Sequence, residues 1–410
     1  MSGDLIKVLW VTPFPPYKGV RNAGGNTILF YTRMLAKEQG YKVSLMTVCH
    51  HDEVLKLEKS YDDTGADLVI VEHWDTGIKR IIRSLLNFES KYSFYNRNAG
   101  LLDNWTEYII LKRIKEMKQN GYSPDIVVLQ FTQVLFLSTE LKNLFPNCKI
   151  VAIEEDVAFQ GYDRRRVFAK GVIERFKWDI RSKKLKELEI DLLNKVNLII
   201  TTNQKDIDLL EKEKVQSKKI MYSAFYQSFL KSARKYDENH HLIFYGAMNR
   251  DENWKSVLWF VDYVLPLIKD ESVKLKIIGG NPHPSLKSIQ HPQVEVLGFV
   301  EDISEVFSKA MCLVAPLVMG AGIKVKVLEG LSAGIPILTN NIGIEGIPAI
   351  DKKHYFHCET PEEYRDAINL LISGEVDLKK MEKEEKELIS STFDYHETYK
   401  TLLGEFSRLL

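Results

Sequence analysis

Three things are scarce in this 410-residue chain: cysteine, net charge and long apolar runs. The four cysteines (Cys49, Cys148, Cys312 and Cys358) stand far apart, without the spacing of a metal site or a disulfide framework. They read as buried, reduced thiols. Lys plus Arg and Asp plus Glu both number 56, which removes any global pull toward nucleic acid. No run of about 18 apolar residues exists, so nothing is expected to span a membrane. The opening run (MSGDLIKVLWVTPFPP) carries a Lys in its one short apolar stretch and reads as a strand rather than a signal peptide. The expected location is the cytoplasm. Nucleotide fingerprints are missing too. Gly-Lys occurs nowhere, which excludes a P-loop, and Gly320-Ala-Gly322 is followed by Val325 where a dinucleotide fingerprint needs Gly. The ten histidines form no metal-ligand set. Asp206-Ile-Asp208 falls inside a helical pattern, Gln204 to Glu213, and reads as a solvated helix face.

What is there is a regular alternation of short β-rich runs with helical patterns. Six strands are predicted in the first half (7–12, 42–48, 67–71, 125–131, 149–153, 197–202). Six more are predicted in the second (241–245, 273–278, 294–297, 311–318, 335–339, 355–357). Such alternation implies parallel sheets with right-handed crossovers. The length and a polar break near 214–239 imply two doubly wound α/β domains. Asp377–Leu410 reads as charged helices.

The densest signal runs from Gly320 to Asn340 (GAGIKVKVLEGLSAGIPILTN). It reads as a glycine loop after the strand 311–318, a helix over Ile323–Ser332, a stop at Ala333-Gly334, and a buried strand. A strand, a glycine turn and a helix start present free backbone N–H groups, which form an anion site. Lys324 falls in the predicted first turn, within reach of a phosphate. Glu329, five residues on, lies where a sugar hydroxyl is met instead.

This stretch, with Asn341-Ile-Gly-Ile-Glu-Gly-Ile347, resembles the donor site of the family-four (group 1) glycosyltransferases of the GT-B fold. The resemblance is to a subgroup with Gly-x-Gly-Ile-Lys in place of the full Glu-x7-Glu motif: the first Glu would fall at Ala321. It implies two Rossmann-like doubly wound domains with a cleft between them: 1–220 for the acceptor, 221–385 for a nucleotide sugar, and 386–410 as a helix returning to the first domain. It also implies roles. Gly320, Ala321, Gly322, Ile323 and Lys324 would hold the diphosphate, and Glu329 the ribose. Gly24 and Gly25 would lie across the cleft, after Pro13–Ala23 and before a helix from about Asn26. Gly246 would end a strand and Asn249 begin a helix. The family's Arg and Lys that follow this glycine are replaced by Ala247 and Glu252, with basic residues displaced to Arg250 and Lys255. Lys324 is then the expected phosphate cation, with Arg250 as helper or as solvated surface. Gly279-Gly280 would lie near the donor, and Phe299-Val300 near its base.

Val151-Ala-Ile-Glu-Glu-Asp156 ends a strand in three carboxylates. Asp156 or Glu155 is a candidate to orient or deprotonate an acceptor hydroxyl, or else caps a helix. Two segments are basic and apolar at helical spacing, 79–91 and 163–186. Between Arg164 and Lys186 there are ten Lys or Arg against Glu174 and Asp179. Either these helices meet anionic membrane peripherally at its inner face, or their apolar faces join the core. The expected function is a retaining glycosyltransferase that moves a sugar, UDP-linked by preference, to a glycan, lipid-linked or protein-linked hydroxyl. No metal and no other cofactor is expected. The rivals are a nucleotide-sugar epimerase of the same fold and a non-catalytic partner subunit.

Overall fold

The computed structural model describes residues 5–20, 23–73, 77–86, 101–169, 171–223, 240–320 and 322–410. Its contacts divide the chain into two units. One comprises Met1–Phe225 with Tyr395–Leu410, the other Tyr226–Asp394. The last 25 residues thus form no single element. Helix Leu378–Thr392 belongs to the second unit and helix Tyr395–Leu409 to the first.

The first unit is built on seven strands: β1 (Ile6–Thr12), β2 (Tyr41–Cys49), β3 (Asp67–Glu72), β4 (Ile126–Gln130), β5 (Lys149–Glu154), β6 (Leu198–Thr201) and β7 (Lys218–Met221). Their order is β3-β2-β1-β4-β5-β6-β7, and every pairing is parallel. Side chains of a strand point alternately to the two faces. In β1, Leu9 and Val11 enter one buried cluster, with Trp105 and Leu185, while Val8 and Trp10 enter another, with Tyr31 and Leu45. Tyr399, Leu402 and Phe406 of the last helix complete the second cluster. Tyr399 donates to Glu38 at 3.1 Å, and Lys218 pairs with Glu405.

The second unit has six parallel strands: β8 (His241–Tyr245), β9 (Lys274–Ile278), β10 (Val294–Gly298), β11 (Cys312–Ala315), β12 (Ile337–Thr339) and β13 (Phe356–His357). The order β10-β9-β8-β11-β12-β13 reverses direction between β8 and β11. In an open α/β sheet this is where a ligand crevice forms, at the carboxyl ends of the strands. Helix Val325–Ala333 packs Val327, Leu328 and Leu331 against Ile243, Leu313 and Ile337. Gly330 makes this close packing possible: a Cβ there would stand 2.5 Å from Ile337 Cδ1.

Candidate functional site

At the reversal point, β8 ends in Gly246 and β9 in Gly279, both with positive φ (154° and 152°). The two strand ends are pressed together. Gly246 N–H donates to Ile278 O at 3.0 Å, and a Cβ on Gly279 would lie 1.7 Å from Gly246 O. Gly279 N–H in turn donates to Gly298 O at 2.7 Å. Three successive strands therefore finish in bare backbone, which leaves room for a ligand to approach.

The glycine loop after β11 closes the other side. Asn340 Nδ2 donates to Leu317 O at 2.8 Å, and Val318 N–H to Ser256 Oγ at 3.1 Å. Gly320 and Gly322 take φ of 134° and 67°. Ala321 lies outside the described residues. The helix begins at Val325, later than the sequence pattern predicts, so Lys324 is its N-cap and not part of its first turn. Among the described residues no side chain caps this helix end, and its leading N–H groups keep the polarity that favours an anion. Ile323 is half-buried against the core cluster behind the loop.

The later helix start changes which lysine faces the site. The Lys324 ammonium turns back on its own loop, donating to Gly322 O, and lies 3.5 Å from Glu345 Oε2; its side chain is 10% exposed. Lys326, not singled out from the sequence, stands beside Gly246: a Cβ on Gly246 would lie 3.0 Å from Lys326 Nζ. It donates to Asn253 Oδ1 and lies 5.0 Å from the Phe244 ring centre. Lys326 and Glu329 are three residues apart in the helix and share a face. That spacing was the available sequence signal. Burial raises the Glu329 carboxyl to about 8, against the pull of Lys326. Burial lowers the Lys326 ammonium to about 8, opposed by Glu252 and aided by Arg250.

The expected helix start at Asn249 is also displaced. Asn249 is exposed in the turn before helix Asp251–Trp259. The inward asparagine is Asn253, which is buried and donates to Ala247 O at 2.8 Å. Arg250 is exposed and pairs with Glu252. Gly280 accepts from Met248 N–H at 3.3 Å, next to the strand ends. Phe299 is 60% exposed after β10, two strands from β8, and Val300 packs on the core.

Gly24, Gly25 and Asp156 belong to the first unit. The glycines lie within the first turn of helix Ala23–Ala36 and not ahead of it. Gly24 permits close packing, since a Cβ there would stand 2.5 Å from Phe131 Cζ. Phe131 itself holds φ 80°, a strained conformation for an aromatic residue, at the end of β4. Of the carboxylates Glu154, Glu155 and Asp156 at the end of β5, Glu155 is held by two neighbouring side chains. It accepts from Gln130 Nε2 and Tyr222 OH, both at 2.6 Å, and burial raises it to about 7. Glu154 is fully buried and raised by burial to about 8, with Asp156, Asp206 and Glu155 adding to the shift. Asp156 is half-buried beside them. The solvated reading of Asp206 is corrected. It is 1% exposed and fixed by Asn203, whose Nδ2 donates to it at 2.8 Å.

Of the two readings open for the basic segments, core packing does not hold for several of their apolar residues. In helix Val172–Leu193, Val172 (86%), Ile173 (75%) and Phe176 (63%) are exposed. In helix Gly77–Leu86, Ile81 and Leu85 are exposed. Residues 87–91, Lys170 and the Phe168 side chain lie outside the described residues. Among the described residues, no helix is long and apolar enough to cross a membrane.

Comparison with known proteins gives the class of this arrangement. Residues 239–374 match the model of the family Glycosyl transferases group 1. The fold is GT-B. Sucrose-phosphate synthase from Thermosynechococcus elongatus superposes with TM-score 0.71 at 12% identity, over 98% of this chain and 99% of that one. HepE of Anabaena, solved in complex with UDP, gives 0.66 at 10%, over 98% and 100%. A variant of TarM from S. aureus, in complex with Fondaparinux, alpha-GlcNAc-glycerol and UDP, gives 0.64 at 13%, over 98% and 99%. No curated protein matches the sequence. With the family match carrying the chemistry and these structures the fold, the chain is a glycosyltransferase by class.

Proposed function

We propose that this transferase takes a sugar from a nucleotide-diphosphate donor, UDP-linked by preference, and moves it to a hydroxyl of a glycan, lipid-linked or protein-linked acceptor, retaining the anomeric configuration. The observation that carries the reading is the pair of glycine-ended strands β8 and β9 beside the glycine loop that follows β11. There an uncapped helix start, an ammonium and the enclosed Glu329 converge. The bare strand ends admit the diphosphate, and the helix N–H groups and lysine meet the charge that grows as the C1–O bond breaks. Glu329 accepts from the ribose. The acceptor oxygen bonds to C1 on the face the diphosphate leaves, and its proton passes to the departing phosphate oxygen. The first unit receives the acceptor, with Glu155 and Asp156 as orienting carboxylates. UDP in the HepE and TarM structures favours the uridine donor.

A panel of UDP-, GDP-, dTDP- and ADP-sugars tests this by thermal shift and donor hydrolysis. One sugar nucleotide is expected to raise the Tm and to be slowly hydrolysed. At 100 times its Kd, the gain is about 2.7 kcal/mol. Stabilisation by none of them would overturn the reading. Binding without turnover, even with glycan acceptors supplied, would point to a partner subunit.

The exposed apolar and basic face of helix Val172–Leu193 supports a peripheral contact with anionic membrane. The protein is expected to co-sediment with phosphatidylglycerol vesicles and not with phosphatidylcholine ones. A Val172→Glu, Phe176→Glu double variant is expected to stay in the supernatant. Equal sedimentation of variant and wild type with the anionic vesicles would refute the contact.

A further inference from the structure

We propose that Lys326, and not Lys324, is the ammonium that holds the donor diphosphate, and that diphosphate binding draws a proton onto it. This rests on the donor reading above and names the cation within it. Four observations lead there. Lys326 Nζ stands over Gly246, at the carboxyl end of β8 where the sheet reverses. Its residue is half-buried, so part of it remains open to a ligand. An ammonium has three donors, and among the described residues the hydrogen bond found for Nζ is the one to Asn253 Oδ1, with the Phe244 ring beside it. Among the described residues, no carboxylate lies within ion-pair distance of it. Lys324, by contrast, already has Gly322 O and Glu345 as partners, and the exposed Arg250 is paired with Glu252.

The surroundings explain the proton. Burial opposes the charged ammonium and brings Lys326 down to about 8. Glu252 and Glu329 pull the other way, and Arg250 adds to the depression. A diphosphate arriving within hydrogen-bond reach replaces lost hydration with two or more anionic oxygens, which restores the charged form. At pH 9 much of the unliganded protein then lacks this proton, and the complex carries it. UDP is fully ionised at that pH, because a phosphate's second proton leaves near pH 6. The proton therefore comes from the buffer.

The test is titration calorimetry of wild-type protein with UDP at pH 9, in buffers of different ionisation enthalpy. The dependence of the observed heat on buffer should report uptake approaching one proton. Glu329→Gln should retain that uptake, which assigns it to the lysine. Lys326→Arg carries a permanent charge, so it should bind UDP without uptake and without the loss of affinity above pH 8. Lys326→Met should weaken UDP by roughly 10- to 100-fold, while Lys324→Met changes it less. Wild-type binding with no proton taken up would overturn the assignment, as would equal affinity in Lys326→Met. Both wild-type measurements stand even if a variant folds poorly. Failure of the wild type to bind any nucleotide is a different result: it removes the donor reading itself, and this inference with it.

Discussion

Glu329→Gln is expected to lower kcat/KM for the sugar nucleotide by roughly 10- to 100-fold, while leaving the protein no less stable at alkaline pH. The first half follows from chemistry. Ribose hydroxyls that donate to Glu329 stabilise its ionised form, so nucleotide binding is expected to draw it into the carboxylate. Each such charged hydrogen bond is worth about 1.5–3 kcal/mol, and an amide recovers only part of that. The second half follows from linkage. Burial raises the native Glu329 carboxyl to about 8, against an ordinary value of 4.5. Between those values the unfolded chain has released its proton and the native state has not. Stability therefore falls as pH rises through this window, by at most about 1.4 kcal/mol per unit. The glutamine cannot ionise, so it removes this penalty. Lys326 has the opposite sign. Its native value of about 8 lies below the ordinary value of 10.5, so its contribution to stability rises with pH between the two. The combined expectation is a wild-type Tm that declines from about pH 5 to 8 more steeply than that of Glu329→Gln. Steady-state kinetics and thermal melts over that range check both halves. Unchanged kcat/KM would mean that Glu329 does not touch the donor, and a steeper melt-versus-pH curve in the variant would contradict its burial as an acid.

Most of the sheet architecture is visible in the sequence because parallel strands covered on both faces read as near-continuous apolar runs. The expected strands 125–131 and 149–153 correspond to β4 and β5, whose residues are almost all buried. The strand that escapes notice is β7. Among the described residues it is the edge of its sheet, paired with β6, and its KKIM sequence is half exposed. Lysine on an edge strand blunts unwanted pairing and also hides the strand from a hydrophobicity reading. The glycine loop is legible for a local reason: a loop followed by a helix and a Gly stop needs no tertiary context. What sequence spacing cannot fix is where that helix begins. A difference of two residues, Ile323 against Val325, exchanges the lysine in the first turn. The same limit hides Asn253 and the strained Phe131, because each is defined by a neighbour distant in sequence: Lys326 for the first, Gly24 for the second.

The largest loss of stability is expected from Gly279→Ala, and it tests whether the bare strand ends are a structural requirement. The substitution meets two obstacles at once. Its φ of 152° is one that side-chain-bearing residues rarely adopt, and its Cβ would lie 1.7 Å from Gly246 O, 2.8 Å from Gly246 C and 3.1 Å from Met248 Cγ. A flexible side chain would yield, but the first two contacts are backbone. That backbone is held on both sides, by Gly246 N–H to Ile278 O and by Gly279 N–H to Gly298 O. Relief therefore requires parting β8 from β9, at a cost of about 3–5 kcal/mol, or roughly 10 °C in Tm for a domain of this size. Gly374→Ala supplies the comparison. It too has a positive φ, 72°, but no atom lies within 4 Å of its added Cβ, so it should cost only about 1–2 kcal/mol from the left-handed conformation. The difference between the two variants in urea or thermal unfolding isolates the strand contact from the φ penalty. Costs within about 1 kcal/mol of each other would show that the β8 and β9 ends yield freely. If they do not yield, the displacement in Gly279→Ala reaches Gly246, whose own Cβ position lies 3.0 Å from both Lys326 Nζ and Asn253 Nδ2. Any Gly279→Ala protein that still folds should therefore also lose nucleotide affinity, because the glycines that join the strands are the ones that seat the lysine.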